Sequence, residues 1–141
     1  MLKAQLKAEE LAVETGVIRR VLLVDESRLQ RRILSASLKR DGFEVDEADC
    51  AAEALEVCRQ SMPDLVLSDW ILPDMDGLGL CEAFRALPSD HYCYFVVLTA
   101  KSERDCVVKA LEDGVDDFLL KPVDAHELRA RMSAAERILR M

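Results

Sequence analysis

Four short runs, VLLV (21–24), DLVLS (64–68), YFVVLT (94–99) and FLL (118–120), are apolar without alternating. A strand with one wet face alternates polar and apolar residues, so a run that does not is buried on both faces. Few architectures do this, and the commonest is a parallel sheet covered by helices on either side. A fifth, weaker run, FEVDEA (43–48), completes the set.

The segments between the runs carry helical spacing. Residues 27–40 place Ile33, Leu34, Ser37 and Leu38 on one face, with Ser27 as N-cap and Gly42 as terminator. Residues 51–61 align Ala54, Leu55 and Cys58, and residues 78–87 align Leu80, Phe84 and Leu87. Residues 102–113 align Val107, Val108 and Leu111, capped by Ser102, with Glu103 and Asp105 in the first turn and Gly114 after the end. Residues 124–140 carry the stripe Leu128, Met132, Ala135 and Leu139. The order is strand then helix five times over, which predicts an open α/β parallel sheet with helices on both faces.

This unit spans residues 20–141, and residues 1–19 form an extension before it. The extension favours helix, with a weak stripe of Leu2, Leu6, Ala8, Leu11 and Val13 that Gly16 would stop. A helix this short is marginal alone in water, so it frays or packs on something, a second copy included.

The 141 residues suit one domain, and half of them are hydrophobic, enough for a sizeable core. No apolar run reaches the roughly 18 residues of a membrane span, and the N-terminus lacks the apolar stretch of a secretory signal. A soluble, cytoplasmic protein without membrane contact is expected. The net charge of −8 disfavours direct nucleic-acid binding. Five cysteines without a C-x-x-C indicate neither a disulfide framework nor a zinc site.

In open α/β sheets ligands bind at the carboxyl ends of the strands. The first strand ends in Asp25 and Glu26, the third in Asp69, the fourth in Thr99, the fifth in Lys121 before Pro122. Three carboxylates within a few Å would repel, and a hard divalent cation, Mg²⁺ or Mn²⁺, resolves that. With a lysine and a hydroxyl beside them, the set suits an incoming phosphoryl group that a carboxylate attacks.

The ordered set VLLVDE, SDWILPDMDG, VVLTAKS and DDFLLKP resembles the receiver domains of two-component response regulators, over about residues 20–140. The resemblance implies a flavodoxin-like, doubly wound five-stranded sheet of order 2-1-3-4-5. It implies Asp69 as phosphoacceptor, and Asp25, Glu26, Asp69 and the backbone carbonyl of Ile71 as metal ligands. It implies Thr99 and Phe118 as switch residues, Lys121 as the site lysine, a cis Lys121–Pro122 bond, and Gly77 where the loop turns into the third helix. The partner would be a histidine kinase or a histidine phosphotransfer protein, docking near the arginines of the first helix. A homodimer could form through the fourth helix, fifth strand and fifth helix, or through the N-terminal helix. The chain itself would be a switch, not an enzyme beyond assisting its own phosphorylation and dephosphorylation. An output domain beyond Met141 stays open.

Glu26 stands where the family often has aspartate. Ile71 is apolar where polar side chains also occur, which suggests that it screens the acyl phosphate from water. Trp70 reads as a partly exposed loop aromatic, and Asp74 and Asp76 as the turn before the third helix. His91 and His126 read as exposed, without the carboxylate or cysteine company of a catalytic histidine. Two other functions compete. An aspartate-nucleophile phosphatase of the haloacid-dehalogenase type needs an aspartate two residues after the nucleophile, where this chain has Ile71. A receiver-like module that binds partners without phosphorylation would not need the complete site.

Overall fold

The computed structural model describes residues 17–141, so the helix expected within 1–16 lies outside the described residues. Five strands form one parallel sheet: β1 (Arg20–Val24), β2 (Glu44–Ala48), β3 (Leu65–Asp69), β4 (Tyr94–Thr99) and β5 (Asp117–Leu120), in the order β2-β1-β3-β4-β5. Each is followed by a helix: α1 (Arg28–Arg40), α2 (Ala51–Gln60), α3 (Gly77–Arg85), α4 (Arg104–Ala110) and α5 (Ala125–Arg140).

Successive strand residues point to opposite faces and build two cores. Leu22, Val24, Val66, Phe95 and Val97 meet α2, α3 and α4 through Ala54, Cys58, Leu80, Phe84 and Val107. Val21, Leu23, Leu67, Val96 and Leu98 meet α1 and α5 through Leu34, Leu38, Leu128 and Met132. That double coverage explains the unbroken apolar runs. Only β2, at the edge, is mostly exposed, and its charged residues discourage further strand pairing.

The chain runs from β1 outward to β2, then back across β1 to β3. This reversal leaves a crevice beyond the carboxyl ends of β1 and β3, the place where such sheets bind ligands.

Local signals account for most element ends. Ser27 caps α1 by accepting from the Gln30 N–H, and Gly42, at φ +97°, lets the chain leave that helix. The Lys121–Pro122 peptide is cis, as the family resemblance implied.

Three helix details depart from the sequence expectation. On α1, Ile33 faces solvent and Ser35 is buried with Leu34 and Leu38, because the helix rolls onto the sheet one position away from the expected stripe. On α4, Val108 is exposed while Val107 and Ala110 are buried. The α-helical part is only seven residues, flanked by 3-10 turns at Lys101–Glu103 and Leu111–Asp113. Ser102 therefore lies inside the first turn and is not its cap. Among the described residues no helix is long and apolar enough to cross a membrane.

Candidate functional site

Asp25 follows β1 directly, and its N–H donates to Ala48 O (3.0 Å), which prolongs the β1–β2 ladder by one residue. Its Oδ1 accepts from the Ser27 N–H at 2.8 Å, so the start of α1 fixes the carboxylate. Arg31, one turn into α1, reaches back to the carbonyls of Asp25 and Glu26 and pairs with Glu47 at 3.3 Å. This arginine holds the acidic loop by its backbone, a role the sequence did not disclose.

Asp25 is 2% exposed, and its Oδ2 is buried without a hydrogen-bond partner. A buried carboxylate oxygen left unpaired is costly. Its nearest cation is Lys121 Nζ, 4.0 Å away, beyond hydrogen-bond reach. The atom is thus open to a cationic ligand, and the oxygen-rich donor set suits a hard divalent ion.

Asp69 ends β3, opposite Leu98 of β4. The next residue, Trp70, keeps the pairing by donating its N–H to Leu98 O at 2.8 Å. The Trp70 carbonyl then accepts from the Gly77 N–H at 2.6 Å, closing the loop between β3 and α3. Trp70 is buried, in the core cluster that also holds Leu72, Leu80 and Cys81; it is not the partly exposed loop aromatic expected. The loop folds its indole inward beneath α3. Gly77 is favoured by close approach: a Cβ there would lie 3.3 Å from both Asp69 O and Trp70 Cε3. Asp76 caps α3 through the Gly79 N–H at 2.7 Å. Asp74 reaches instead to the start of α2, accepting from Ala51 and Ala52 N–H at 2.9 Å each. It is more than a turn residue, since it supplies the cap that Cys50 does not.

From β5, the Lys121 N–H bonds Thr99 O at 2.8 Å, and the side chain crosses to Asp69, Nζ to Oδ1 2.7 Å. Burial pushes the Asp69 carboxyl above the usual range, Lys121 opposes that shift, and the Asp25 charge adds to it. Thr99 is fully buried at the end of β4. Its hydroxyl faces two acceptors at 3.2 Å, Ala100 O and Glu103 Oε1. Phe118 is partly buried against the core that contains Val97 and Phe95.

Asp25, Asp69 and Lys121 thus meet, joined through the lysine. Glu26 and Ile71 are exposed, and the Glu26 carboxylate forms no ion pair among the described residues. The three carboxylates expected within a few Å do not converge on one point: among the described residues the one group of three such ligating atoms within 4.8 Å is the exposed Asp49 and Glu53 with the half-buried Cys50. The reason is local, since the Lys121 ammonium lies between Asp25 and Asp69 while Glu26 extends outward. Glu103 was missed as a site residue, because nothing in its spacing shows that a first-turn glutamate folds back onto Thr99.

His91 is exposed as expected, but its company differs. Its Nδ1 lies 2.7 Å from Asp90 Oδ1 and its Nε2 3.1 Å from Pro63 O and 3.5 Å from Asp64 Oδ1. It does have carboxylate company, but beside the residues that precede β3 and β4, at the opposite end of the sheet from Asp69.

A half-buried aspartate bridged by a lysine thus stands at the switch point of a parallel α/β sheet. The Response regulator receiver domain family matches residues 21–133, and the chain belongs to it. It is 38% identical over 115 residues to the DNA-binding response regulator MtrA of Mycolicibacterium paratuberculosis, covering 82% of this chain and 50% of the relative. It is 33% identical over 115 residues to the phosphate regulon transcriptional regulatory protein PhoB of Rhizobium meliloti, covering 82% and 51%. The chain spans about half the length of the curated relatives it matches. A CheY-like receiver domain from Methylobacillus flagellatus superposes with TM-score 0.78 at 27% identity, covering 84% of this chain and 99% of that one. The family is a two-component signalling family, its members take phosphoryl groups from histidine kinases, and the chain's role is that of a phosphoacceptor switch.

Proposed function

We propose that Asp69 is the phosphoacceptor of this receiver domain and that Thr99, Phe118 and Lys121 convert its phosphorylation into a change of shape. The observation that carries this reading is Lys121 Nζ at 2.7 Å from Asp69 Oδ1, beside the unpartnered Oδ2 of Asp25. A carboxylate oxygen of Asp69 forms the new bond to phosphorus as the P–N bond of a donor phosphohistidine breaks, and the imidazole keeps the electron pair. Lys121 neutralises phosphoryl oxygens, and Thr99 donates its hydroxyl to one of them.

Mg²⁺, or Mn²⁺ in its place, would be held by Asp25, Glu26, Asp69 and the carbonyl of Ile71. When bound, it supplies positive charge to the transferring phosphoryl group. Asp25 brings the unpaired oxygen that such an ion would satisfy, and Glu26, next to it in the chain, would add a second carboxylate.

The phosphodonor is a histidine kinase or phosphotransfer protein. Leu29 and Ile33, 70% and 61% exposed and one turn apart on α1, give that partner an apolar patch beside the acidic loop. Val108 and Leu120 offer an exposed apolar contact for self-association across α4, β5 and α5. No nucleic-acid role is assigned to this acidic segment. The DNA binding in the name of MtrA belongs to that longer protein.

Radiolabelled acetyl phosphate tests the reading. One label per chain, absent in Asp69→Asn and dependent on divalent metal, is the expected result. Continuous turnover would favour a phosphatase, and no uptake would leave a silent binding module.

A further inference from the structure

We infer that Glu103 is a positioning residue that holds the Thr99 hydroxyl in the resting state and must release it when Asp69 carries a phosphoryl group. The inference rests on the function proposed above and names a regulatory contact within the same site.

The Thr99 hydroxyl has one proton to donate and is wholly buried, so it needs a protein acceptor. Two lie at 3.2 Å: the neutral carbonyl of Ala100 and Glu103 Oε1. A carboxylate is the stronger acceptor of the two. The Glu103 oxygen is not placed by Thr99 alone, because the Ala100 N–H also donates to it at 2.8 Å. The first turn before α4 therefore presents a fixed anionic acceptor to the switch hydroxyl.

Thr99 follows Leu98, the residue paired with Asp69, so it stands beside the acceptor across the β3–β4 ladder. A phosphoryl group on Asp69 brings about two negative charges and three acceptor oxygens. The single hydroxyl proton cannot serve both that group and Glu103. Moving it breaks the Thr99–Glu103 bond, and the like charges of Glu103 and the phosphoryl group oppose a shared arrangement. Because the same Glu103 oxygen accepts from the Ala100 N–H, loss of the Thr99 bond removes one of the two contacts that hold Glu103 in the turn that starts α4. The site is thereby linked to the α4 surface, and a ligand shifts such an equilibrium only by its differential affinity.

The test is a double-mutant cycle on the full chain. Beryllofluoride, a phosphoryl mimic, is titrated with Mg²⁺ in excess and followed by the fluorescence of Trp70, the single tryptophan. Glu103→Gln keeps the shape and weakens the acceptor. It should lower the beryllofluoride concentration at half-saturation about fivefold, the ratio expected when a charged hydrogen bond becomes a neutral one. In a Thr99→Ala background the same change should have a clearly smaller effect, the part due to charge alone, because no hydroxyl is left to hold. An equal effect in both backgrounds would mean that Glu103 acts only through its charge, and it would overturn the latch. So would no effect in the wild-type background when the thermal midpoint shows a folded variant. Glu103→Ala supplies a second reading of the same cycle. Wild-type protein that takes up no beryllofluoride defeats the phosphoacceptor reading and the latch together, whereas normal wild-type binding with a flat cycle defeats the latch alone.

Discussion

The ammonium of Lys121 stands 2.7 Å from Oδ1 of Asp69 and 4.0 Å from Oδ2 of Asp25, so one side chain just past β5 reaches carboxylates at the ends of β3 and β1. Burial pushes the Asp69 carboxyl upward, and the Lys121 ammonium opposes that shift. Replacing Lys121 by Ala removes the one cation that pairs with the proposed nucleophile among the described residues. Labelling by acetyl phosphate should slow about a hundredfold, the scale found when one charge-stabilising donor is deleted from a catalytic site. Labelling at the wild-type rate would show that the lysine is only structural.

Gly77 leaves little room for a methyl group. In Gly77→Ala the new carbon would press on Asp69 O and on the Trp70 ring, each 3.3 Å away. Overpacking of this kind costs about 1–3 kcal/mol. Because the strain falls on the backbone of Asp69 itself, acetyl phosphate labelling should drop along with the urea midpoint.

Asp74 joins two loops by capping α2 from the β3–α3 connection. The bonds from Ala51 and Ala52 hold its carboxyl below the usual range. A lowered carboxylate stabilises the fold above its ordinary value of 3.8, and the contribution is lost as pH falls through its folded value. Asp74→Ala should cost about 1 kcal/mol at neutral pH. Chemical denaturation at pH 7 and near pH 3 should show the difference shrinking in acid.

His91 gives the opposite sign. Hydrogen bonding to Asp90 raises its pKa above 6.5, burial opposes this, and the Pro63 carbonyl and Asp64 add to the rise. The folded protein holds the proton more tightly than the unfolded chain, so the contribution is full below about pH 6.5 and fades as pH rises through the folded value. Denaturation midpoints of wild type and His91→Gln should differ more at pH 5.5 than at pH 8.5. A constant gap would remove the histidine from the pH response.

Ile71 is 61% exposed two residues past Asp69, and its backbone bridges to Asp76. If its side chain shields the acyl phosphate, Ile71→Asn should shorten the lifetime of phospho-Asp69. The decay of labelled protein, chased with unlabelled donor, measures this directly, and an unchanged lifetime ends the idea.

The sheet was legible because burial on both faces leaves a compositional mark. VLLV, DLVLS, YFVVLT and FLL stand within a residue of the strand bounds found. Asp25, Asp69, Thr99 and Lys121 were legible with it, since a parallel sheet brings the ends of its strands to one edge. Ser27 was readable as a cap because capping acts within three residues. All of these depend on neighbours in the chain or on a repeating geometry.

What only the tertiary structure decided involves groups with no fixed spacing. Asp74 caps a helix that begins 23 residues earlier, Trp70 turns inward rather than outward, and Ile33 yields its place to Ser35 when α1 settles on the sheet. Lys121 lies between two carboxylates, and Glu103 bends back to the Thr99 hydroxyl. Periodicity marks which side of an element is apolar; how a helix rolls, and which acceptor a buried proton meets, follows from packing among elements distant in sequence.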